Sequence, residues 1–511
     1  MGPTGEERTL SDEKQVPDEQ IVKELKEDRS FFGHPKAIAT LGFLDMCAAF
    51  SNYGMSAILV YYLYAEAPTG LGLAQMEAVQ LISLYTAATT LAGLVGSYVA
   101  DRILGPRRAI GISRIMSACA FTLLAIPSLG TIGYALSQAL LCFAGMCVGR
   151  SSDALTRKMY DLDDERCDGA FGIRYVINNI GAMVPALTGA VAASLGYSAA
   201  FGVCAVVSIA GALEYFVTQK KFFGPIGLKA NDPMPVKDAK RFLCVLVAVV
   251  LVAACLGTYA LASRLVSITT FTTAVSFIAI FVPVFYFAHI IRSKKCTPAE
   301  SRSVLYLVPL FICGALTCVV FEQANGVLAV YVETTVDRMI FGVEVPAAAF
   351  STFGALFSIL FGSIFTAVWS SPRKQPTSSA KLALGSAIYV AAPLLMCLPF
   401  VLYPAGSKVS CLWIIGFWLI SMFGEAISVP VGFSVASKVA PAAYSTQMIM
   451  VWALQVSFGS GVSAILANFY QEGSEALYFL LLGGICLVCC CVVLAFSNKI
   501  ERGLGLMGEG E

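Results

Sequence analysis

Charge is what this sequence has least of: only 13% of its 511 residues are Asp, Glu, Lys or Arg, against about 25% in an ordinary soluble chain. So little charge cannot cover a water-facing surface of this size, which excludes a soluble enzyme. Histidine is scarcer still, with 2 residues, His34 and His289, so a His-rich metal centre is excluded as well. The formal net charge of +1 leaves no basic surface for nucleic acid. Cysteine is not scarce, at 17 residues, but it is scattered through apolar runs, as in Cys313, Cys318 and the cluster Cys486, Cys489, Cys490 and Cys491. It lacks the paired spacing of metal ligands and is read as small lipid- or core-facing side chains. No nucleophile and base pair and no phosphate-binding loop occurs, so neither catalysis nor a cofactor is expected.

What the chain has in excess is apolar sequence, 57% of all residues. A crossing takes about 20 apolar residues, and the runs support about fourteen spans, which makes an all-α polytopic membrane protein. They lie near 36–64, 75–100, 108–127, 131–149, 169–193, 198–217, 242–262, 267–291, 304–331, 347–369, 380–402, 411–436, 444–469 and 476–497. Residues 1–32 are too charged for a signal peptide and read as a cytosolic tail. With the N-terminus inside, the basic residues Arg102, Arg107, Arg108, Arg157, Lys158 and Arg166, those of 218–241 and 292–303, and Arg373 to Lys381 all fall in cytoplasmic loops. Only Arg264, Arg338 and Lys408 then face outward, so both termini are expected in the cytoplasm.

The polar stretches suggest a domain plan. A six-helix bundle over 33–217 is followed by a cytoplasmic linker, 218–241, and two extra helices over 242–291. A cytoplasmic loop, 292–303, then leads to a second six-helix bundle, 304–497, and a tail, 498–511. The alternative is one continuous bundle of all the spans.

A charged side chain near the bilayer centre costs at least about 2.5–3.5 kcal/mol, so each one needs a reason. Asp45, Glu322 and Glu425 sit well inside their spans and read as cavity-facing acids able to carry protons or hold an ammonium group. Asp45, Ala48, Ala49, Asn52 and Tyr53 recur on one helical face; Glu322 with Asn325, Ser421 with Glu425 and Ser428, and Tyr175 with Asn179 form three more polar stripes. The four stripes are expected to converge at a midplane site. Arg114, Arg150 and Arg174 are read mainly as snorkelling to an interface. The loop with Gly96, Asp101, Arg102, Gly105, Arg107 and Arg108 offers a charge cluster able to latch one conformation, or simply sets topology.

These motifs resemble those of the proton-dependent oligopeptide transporter family of the major facilitator superfamily. Gly33-His34-Pro35-Lys36 and Phe50 to Met55 look like its first-helix entry and motif, Gly96 to Arg108 its first signature, and Phe171 to Met183 its second. Phe321 to Asn325, Val336-Asp337-Arg338, Phe341 to Pro346, Gly424-Glu425 to Pro430, Gly432, Ala440-Pro441 and Trp452 are similar to its later helices. The two extra spans are similar to those of bacterial members. The resemblance implies a major facilitator fold of two six-helix halves with two extra helices between them, alternating access, and symport of di- and tripeptides with protons, the coupling ion, with no other cofactor. Glu425 would hold the peptide amino terminus; Asn179 and Asn325 would contact substrate, with Asn52, Tyr53, Tyr175, Trp452 and Arg150 beside them. Glu322 and Asp45 would carry protons, and Asp101, Arg102, Arg107 and Arg108 would gate. A bacterial inner membrane and a functional monomer are expected.

The chain departs from the family pattern in the first helix, where Glu, two spacers, Glu and Arg are replaced by Asp45, Met46, Cys47, Ala48 and Ala49. The fourth-helix Lys falls on Gly149 and the eighth-helix Asn on Gly354. Arg150 is the candidate replacement for the Lys, although a one-residue shift turns a side chain by about 100°. Two other readings stay open: a transporter of another small amine-bearing solute with altered or absent coupling, and a transport-inactive sensor that kept the fold.

Overall fold

In the computed structural model the described residues are 19–148, 151–161, 164, 166–230, 233–262, 267–340, 342–369, 375–404, 406–471 and 473–506. Inside a bilayer a backbone can satisfy its own polar groups only as helix or closed barrel, and this chain takes the helical solution. The helices are α1 (Lys36–Tyr64), α2 (Gln75–Val99), α3 (Pro106–Leu124), α4 (Gly130–Val148), α5 (Ser151–Lys158), α6 (Arg166–Ala182), α7 (Pro185–Leu195), α8 (Tyr197–Phe223), α9 (Val236–Ala262) and α10 (Ile268–Ile291). There follow α11 (Pro298–Asn325), α12 (Val327–Thr335), α13 (Thr352–Trp369), α14 (Ser378–Val390), α15 (Leu412–Lys438), α16 (Ser445–Ala453), α17 (Gln455–Leu466), α18 (Glu475–Ala495) and α19 (Ser497–Gly503).

Among the described residues twelve helical stretches are long and apolar enough to cross a membrane, and the chain is a multi-pass membrane protein. The expected spans 108–127 and 242–262 coincide with α3 and α9, which are helical but not among the twelve. Arg107, Arg108 and Arg114 make α3 the more polar of the expected spans, and side chains 253–262 of α9 lie outside the description. Of the expected linker, residues up to Phe223 prolong α8 and those from Val236 open α9.

The chain divides into two compact units: unit 1 is Met1–Tyr53, Ala92–Ala182 and Phe201–Ala254, and unit 2 is Gly54–Leu91, Met183–Ala200 and Cys255–Glu511. Several helices therefore contribute residues to both units.

Unit 1 is built on a buried cluster of Ile38, Leu41, Leu44, Ile110, Leu155, Met159, Tyr160, Tyr215 and Phe223. In lipid there is no hydrophobic drive between helices, so small residues that let backbones approach decide where they pack. A Cβ on Gly181 would lie 2.3 Å from the Met46 carbonyl oxygen, so only glycine lets α6 lie this close to α1.

Unit 2 uses the same device at Gly424 of α15, whose Cβ would meet the Gly385 carbonyl at 2.5 Å. At the N-terminus of α11 a reciprocal cap forms: Glu300 N–H donates to Thr297 Oγ1 (3.2 Å) and Thr297 N–H to Glu300 Oε2 (2.8 Å), with Pro298 at the first helical position. The loop after α12 is pinned by two short strand pairs, Val336–Asp337 with Val409–Ser410 and Met339–Ile340 with Val343–Glu344. Arg338 crosses it to Glu344 (2.8 Å) and Glu333 (3.6 Å).

Candidate functional site: polar clusters inside the two units

The sequence placed Asp45 inside the first span and read Arg174 as an interfacial cation. The structure brings them together. Arg174 donates from Nε (2.8 Å) and Nη2 (2.6 Å) to Asp45 Oδ2. Its remaining donors reach Ser152 Oγ (2.6 Å), Thr156 Oγ1 (2.6 Å) and Asp153 Oδ1 (3.3 Å). Arg174 is 6% exposed, so it does not snorkel; a buried guanidinium needs acceptors for its whole fork, and α1 and α5 supply them. Arg114 lies within electrostatic reach of Asp45 and Cys47, and its buried Nε has no hydrogen-bond partner.

The other unit 1 candidates are placed as follows. Asn52 donates to the carbonyl of Ala48 (2.8 Å), and Asn179, which is buried, donates to the carbonyl of Tyr175 (2.9 Å), so both amide groups back-bond within their own helices. Tyr53 and Tyr175 present large exposed rings. Arg150 lies outside the described residues.

The gating cluster is organised by a π-type turn, Ala100–Leu104, that ends in Gly105 at φ 76°, where the Gly105 N–H returns to the Ala100 carbonyl (2.9 Å). Only glycine takes that backbone cheaply, and a Cβ there would also meet the Leu228 carbonyl at 2.8 Å. Arg107 is buried and anchors the segment after α8: it donates to Gln219 Oε1 (3.2 Å) and to the Gly224 carbonyl, while its own carbonyl accepts from the Tyr215 hydroxyl (2.8 Å). Arg102 stacks over the Tyr98 ring at 6.0 Å and its carbonyl accepts from Met234 N–H (2.9 Å). Asp101 is half-buried beside it, and Arg108 is exposed. Near the start of α6 the Asp164 carboxyl is held below its ordinary range, chiefly by the hydrogen bonds Arg166 donates to it.

Unit 2 gathers the two remaining acids. Glu322, on α11, is 3% exposed; Thr86 and Ser460 stand beside its carboxyl, but Oε2 has no hydrogen-bond partner. The Thr86 and Ser460 hydroxyls donate one turn back along their own helices, to Ile82 (3.3 Å) and Val456 (2.8 Å). Glu425, on α15, accepts from Ser358 Oγ of α13 at 3.5 Å. Cys318, one turn before Glu322, lies within electrostatic reach of both carboxyls. Among the described residues no salt bridge reaches either acid. More unpartnered buried polar atoms accompany them in this unit, Ser421 Oγ, Gln455 Nε2 and Ser457 Oγ.

A fully satisfied network supports this arrangement: Gln323, next to Glu322, donates to Ser463 Oγ (2.9 Å) and accepts from the Tyr478 hydroxyl (2.7 Å), tying α11 to α17 and α18. Asn325 back-bonds weakly to the Phe321 carbonyl (3.5 Å). Trp452 is buried, edge-on to Phe311 at 6.2 Å and closing over Gly432, a packing position in this conformation.

Sequence reasoning missed Glu214, inside α8, and misjudged Arg174. The signal for Glu214 was present, a lone acid in an apolar run, but it stands close to the expected end of the sixth span at 217, where an acid can reach water. For Arg174 no sequence signal exists, because its partners come from helices 129 and 22 positions away. Among the described residues no group of His, Cys, Asp and Glu is placed to hold a metal ion.

Comparison with known proteins places these clusters in a family. A di-/tripeptide transporter of Lactococcus lactis subsp. lactis is 32% identical over 496 residues, covering 95% of this chain and 99% of the relative. A crystal structure of a peptide transporter in complex with sulfate superposes with a TM-score of 0.90 at 30% identity, over 95% of this chain and 99% of that one. The structure of a POT family transporter in complex with 5-aminolevulinic acid superposes at 0.87 with 26% identity, over 92% and 98% of the two chains. Residues 153–481 match the family described as PTR2, POT family, and the chain is a member of the POT family of transporters.

Proposed function

We propose that this protein is a secondary active transporter that moves di- and tripeptides in symport with protons by alternating access. The observation that carries the reading is the pair of carboxyl groups, Glu322 and Glu425, held inside apolar helices of unit 2 around Cys318 without a salt bridge among the described residues. A buried carboxylate without a cation is costly, and the cost is relieved either by a proton or by an ammonium group. Glu322, the more enclosed and with a bare Oε2, is the site for the proton. Glu425, only partly enclosed and lightly held by Ser358, is the site for the substrate's amino terminus, with Asn325 and Trp452 as further candidates in unit 2; Asn52, Tyr53, Tyr175 and Asn179 are the unit 1 candidates for substrate contact. Asp45 enters the cycle through Arg174: a proton on Asp45 would weaken their ion pair and free the guanidinium.

The protein works as a monomer in a bacterial inner membrane with both termini in the cytoplasm; the distribution of Lys and Arg between loops supports the placement of the termini. The coupling ion is the proton, and no other cofactor takes part.

One observation favours a second reading. A structural neighbour binds 5-aminolevulinic acid, which carries an amine and a carboxylate but no peptide bond, and a site built on Glu425 asks only for the ammonium. The test is uptake of labelled dipeptide and labelled 5-aminolevulinic acid into liposomes holding the purified protein, with and without an inward proton gradient. Gradient-driven dipeptide uptake that disappears in Glu322→Gln and Glu425→Gln is the expected result. Flux indifferent to the gradient supports the second reading, and absence of flux for both solutes refutes both.

A further inference from the structure

We propose that Glu214, on α8 of unit 1, is a further proton-carrying group of the transport cycle. The inference rests on the proton-symport reading above. Glu214 lies within the membrane-spanning stretch Tyr197–Phe223. Its Oε1 accepts from Thr40 Oγ1 of α1 at 3.1 Å, while its Oε2 is buried without any partner. Even the one bond is shared, because Thr40 Oγ1 also lies 3.3 Å from Thr218 Oγ1 and has a single proton to give.

The groups around Glu214 can be followed helix by helix. From α1 comes Cys47, whose thiol is within electrostatic reach of both Glu214 and Arg114. Asp45 stands on the same helix, engaged by Arg174. From α3 comes Arg114, within reach of Asp45, Cys47 and Tyr215, with its buried Nε unpartnered. On α8 itself, the Tyr215 hydroxyl is committed to the Arg107 carbonyl (2.8 Å), and Lys220 and Lys221 stand at the end of the helix. Around Cys47, then, are an acid with one bare oxygen and a guanidinium with one bare donor, and among the described residues neither has a salt bridge.

With a proton on Glu214 Oε2 the acid is neutral and the site holds no unpaired charge. When the O–H bond breaks and the proton leaves to water, the carboxylate is left in a poorly solvated site with no cation paired to it among the described residues. Protonation of Glu214 thereby decides whether the junction of α8 with Thr40 of α1 carries a charge, and the cost of the charged state ties the proton to the repacking of these two helices. The competing account is a purely structural one, in which Glu214 only ties α8 to Thr40.

The two accounts separate in liposomes by comparing gradient-driven dipeptide uptake with counterflow, the exchange of labelled for unlabelled dipeptide that needs no net proton movement. In Glu214→Gln driven uptake is expected to fall by about tenfold or more, while counterflow stays within about twofold of the unaltered protein. Thr40→Val, which removes the Thr40 hydroxyl from the carboxylate at nearly constant volume, is expected to move the half-maximal pH of driven uptake by about half a unit toward alkaline. Driven uptake intact in Glu214→Gln, counterflow lost along with it, or an unmoved pH profile in Thr40→Val each overturns the proposal. Failure of the symport reading itself looks different: the unaltered protein would then show no dependence on the gradient.

Discussion

The pair of Asp45 and Arg174 makes the strongest demand on the fold. Asp45→Asn removes one charge and leaves Arg174, whose side chain is 7% exposed, with the more distant Asp153 (3.3 Å, 40% exposed) as its remaining anion. Removing one partner of a buried pair costs about 3–5 kcal/mol; the residual pull of Asp153 places this case near the lower limit, about 3 kcal/mol. Arg174→Met leaves Asp45, 22% exposed, uncompensated except through Arg114, for a similar loss. The double variant leaves no orphaned charge at this pair, so its loss falls well short of the sum, with a coupling energy of about 2–3 kcal/mol. The buried thiols Cys47, Cys204, Cys313, Cys486 and Cys490 provide the assay: a thiol-reactive dye reports their exposure as the detergent-solubilised protein is heated. Each single variant should lower the apparent midpoint, and the double variant should lie above the value expected from adding the two losses. Additive losses, or single variants indistinguishable from the unaltered protein, would refute the argument that the pair acts as a unit.

Three other outcomes follow from the structure. Glu425→Gln should raise KM for free-amino dipeptides at least about tenfold, the equivalent of 1.4 kcal/mol, and should leave the weak transport of N-acetylated dipeptides unchanged; an equal rise for both removes Glu425 from amine recognition. Gly424→Val places a side chain where a Cβ already sits 2.5 Å from the Gly385 carbonyl and the Tyr389 nitrogen; overpacking of about 1–3 kcal/mol or more should lower the melting midpoint, and an unchanged midpoint would show that α14 and α15 are not this close. His34, outside the spans, is buried and hydrogen-bonded to the Tyr160 hydroxyl (2.9 Å); burial first and Arg166 second push its imidazole below the ordinary His value. The unfolded chain therefore binds the proton more readily, so this group withdraws stability as pH falls through about 6.5 and adds nothing further below its folded value. The midpoint measured between about pH 8 and 5.5 should fall less steeply in His34→Gln than in the unaltered protein, and equal slopes exclude the contribution.

Much of this molecule is legible in its sequence because a bilayer leaves few choices. A long apolar run must become a helix, and lone acids such as Glu322 and Glu425 are conspicuous against such a background. What the sequence could not supply is the identity of partners. Arg174 stands near the start of α6 and looked free to reach the interface, until helices from elsewhere in the chain put Asp45, Ser152 and Thr156 around it. Asn52 and Asn179 share faces with other polar residues, yet their amides turn back to the carbonyl one turn earlier, a choice that periodicity does not register. Trp452 is assigned to substrate contact by resemblance alone, and periodicity gives no hint that its ring closes over Gly432. The expected spans 108–127 and 242–262 are helical, but α3 carries too many arginines for its apolarity to mark it as a crossing.

The altered first helix can be understood as an exchange of charge sets rather than a loss. Resemblance places two acids and an arginine at Asp45, Ala48 and Ala49 of α1, and a lysine at position Gly149. Had only one of these been replaced, an unpaired charge would remain in oil, at several kcal/mol. What unit 1 contains instead is Asp45 closed onto Arg174, with Asp153 at its edge, and Glu214 with one oxygen bonded to Thr40 and the other bare. A proton reaches the bare Glu214 oxygen without displacing a partner, whereas at Asp45 it must compete with Arg174. The two acids of unit 1 would therefore load a proton at different cost, Glu214 the more readily, and Asp45 only as its pair with Arg174 opens.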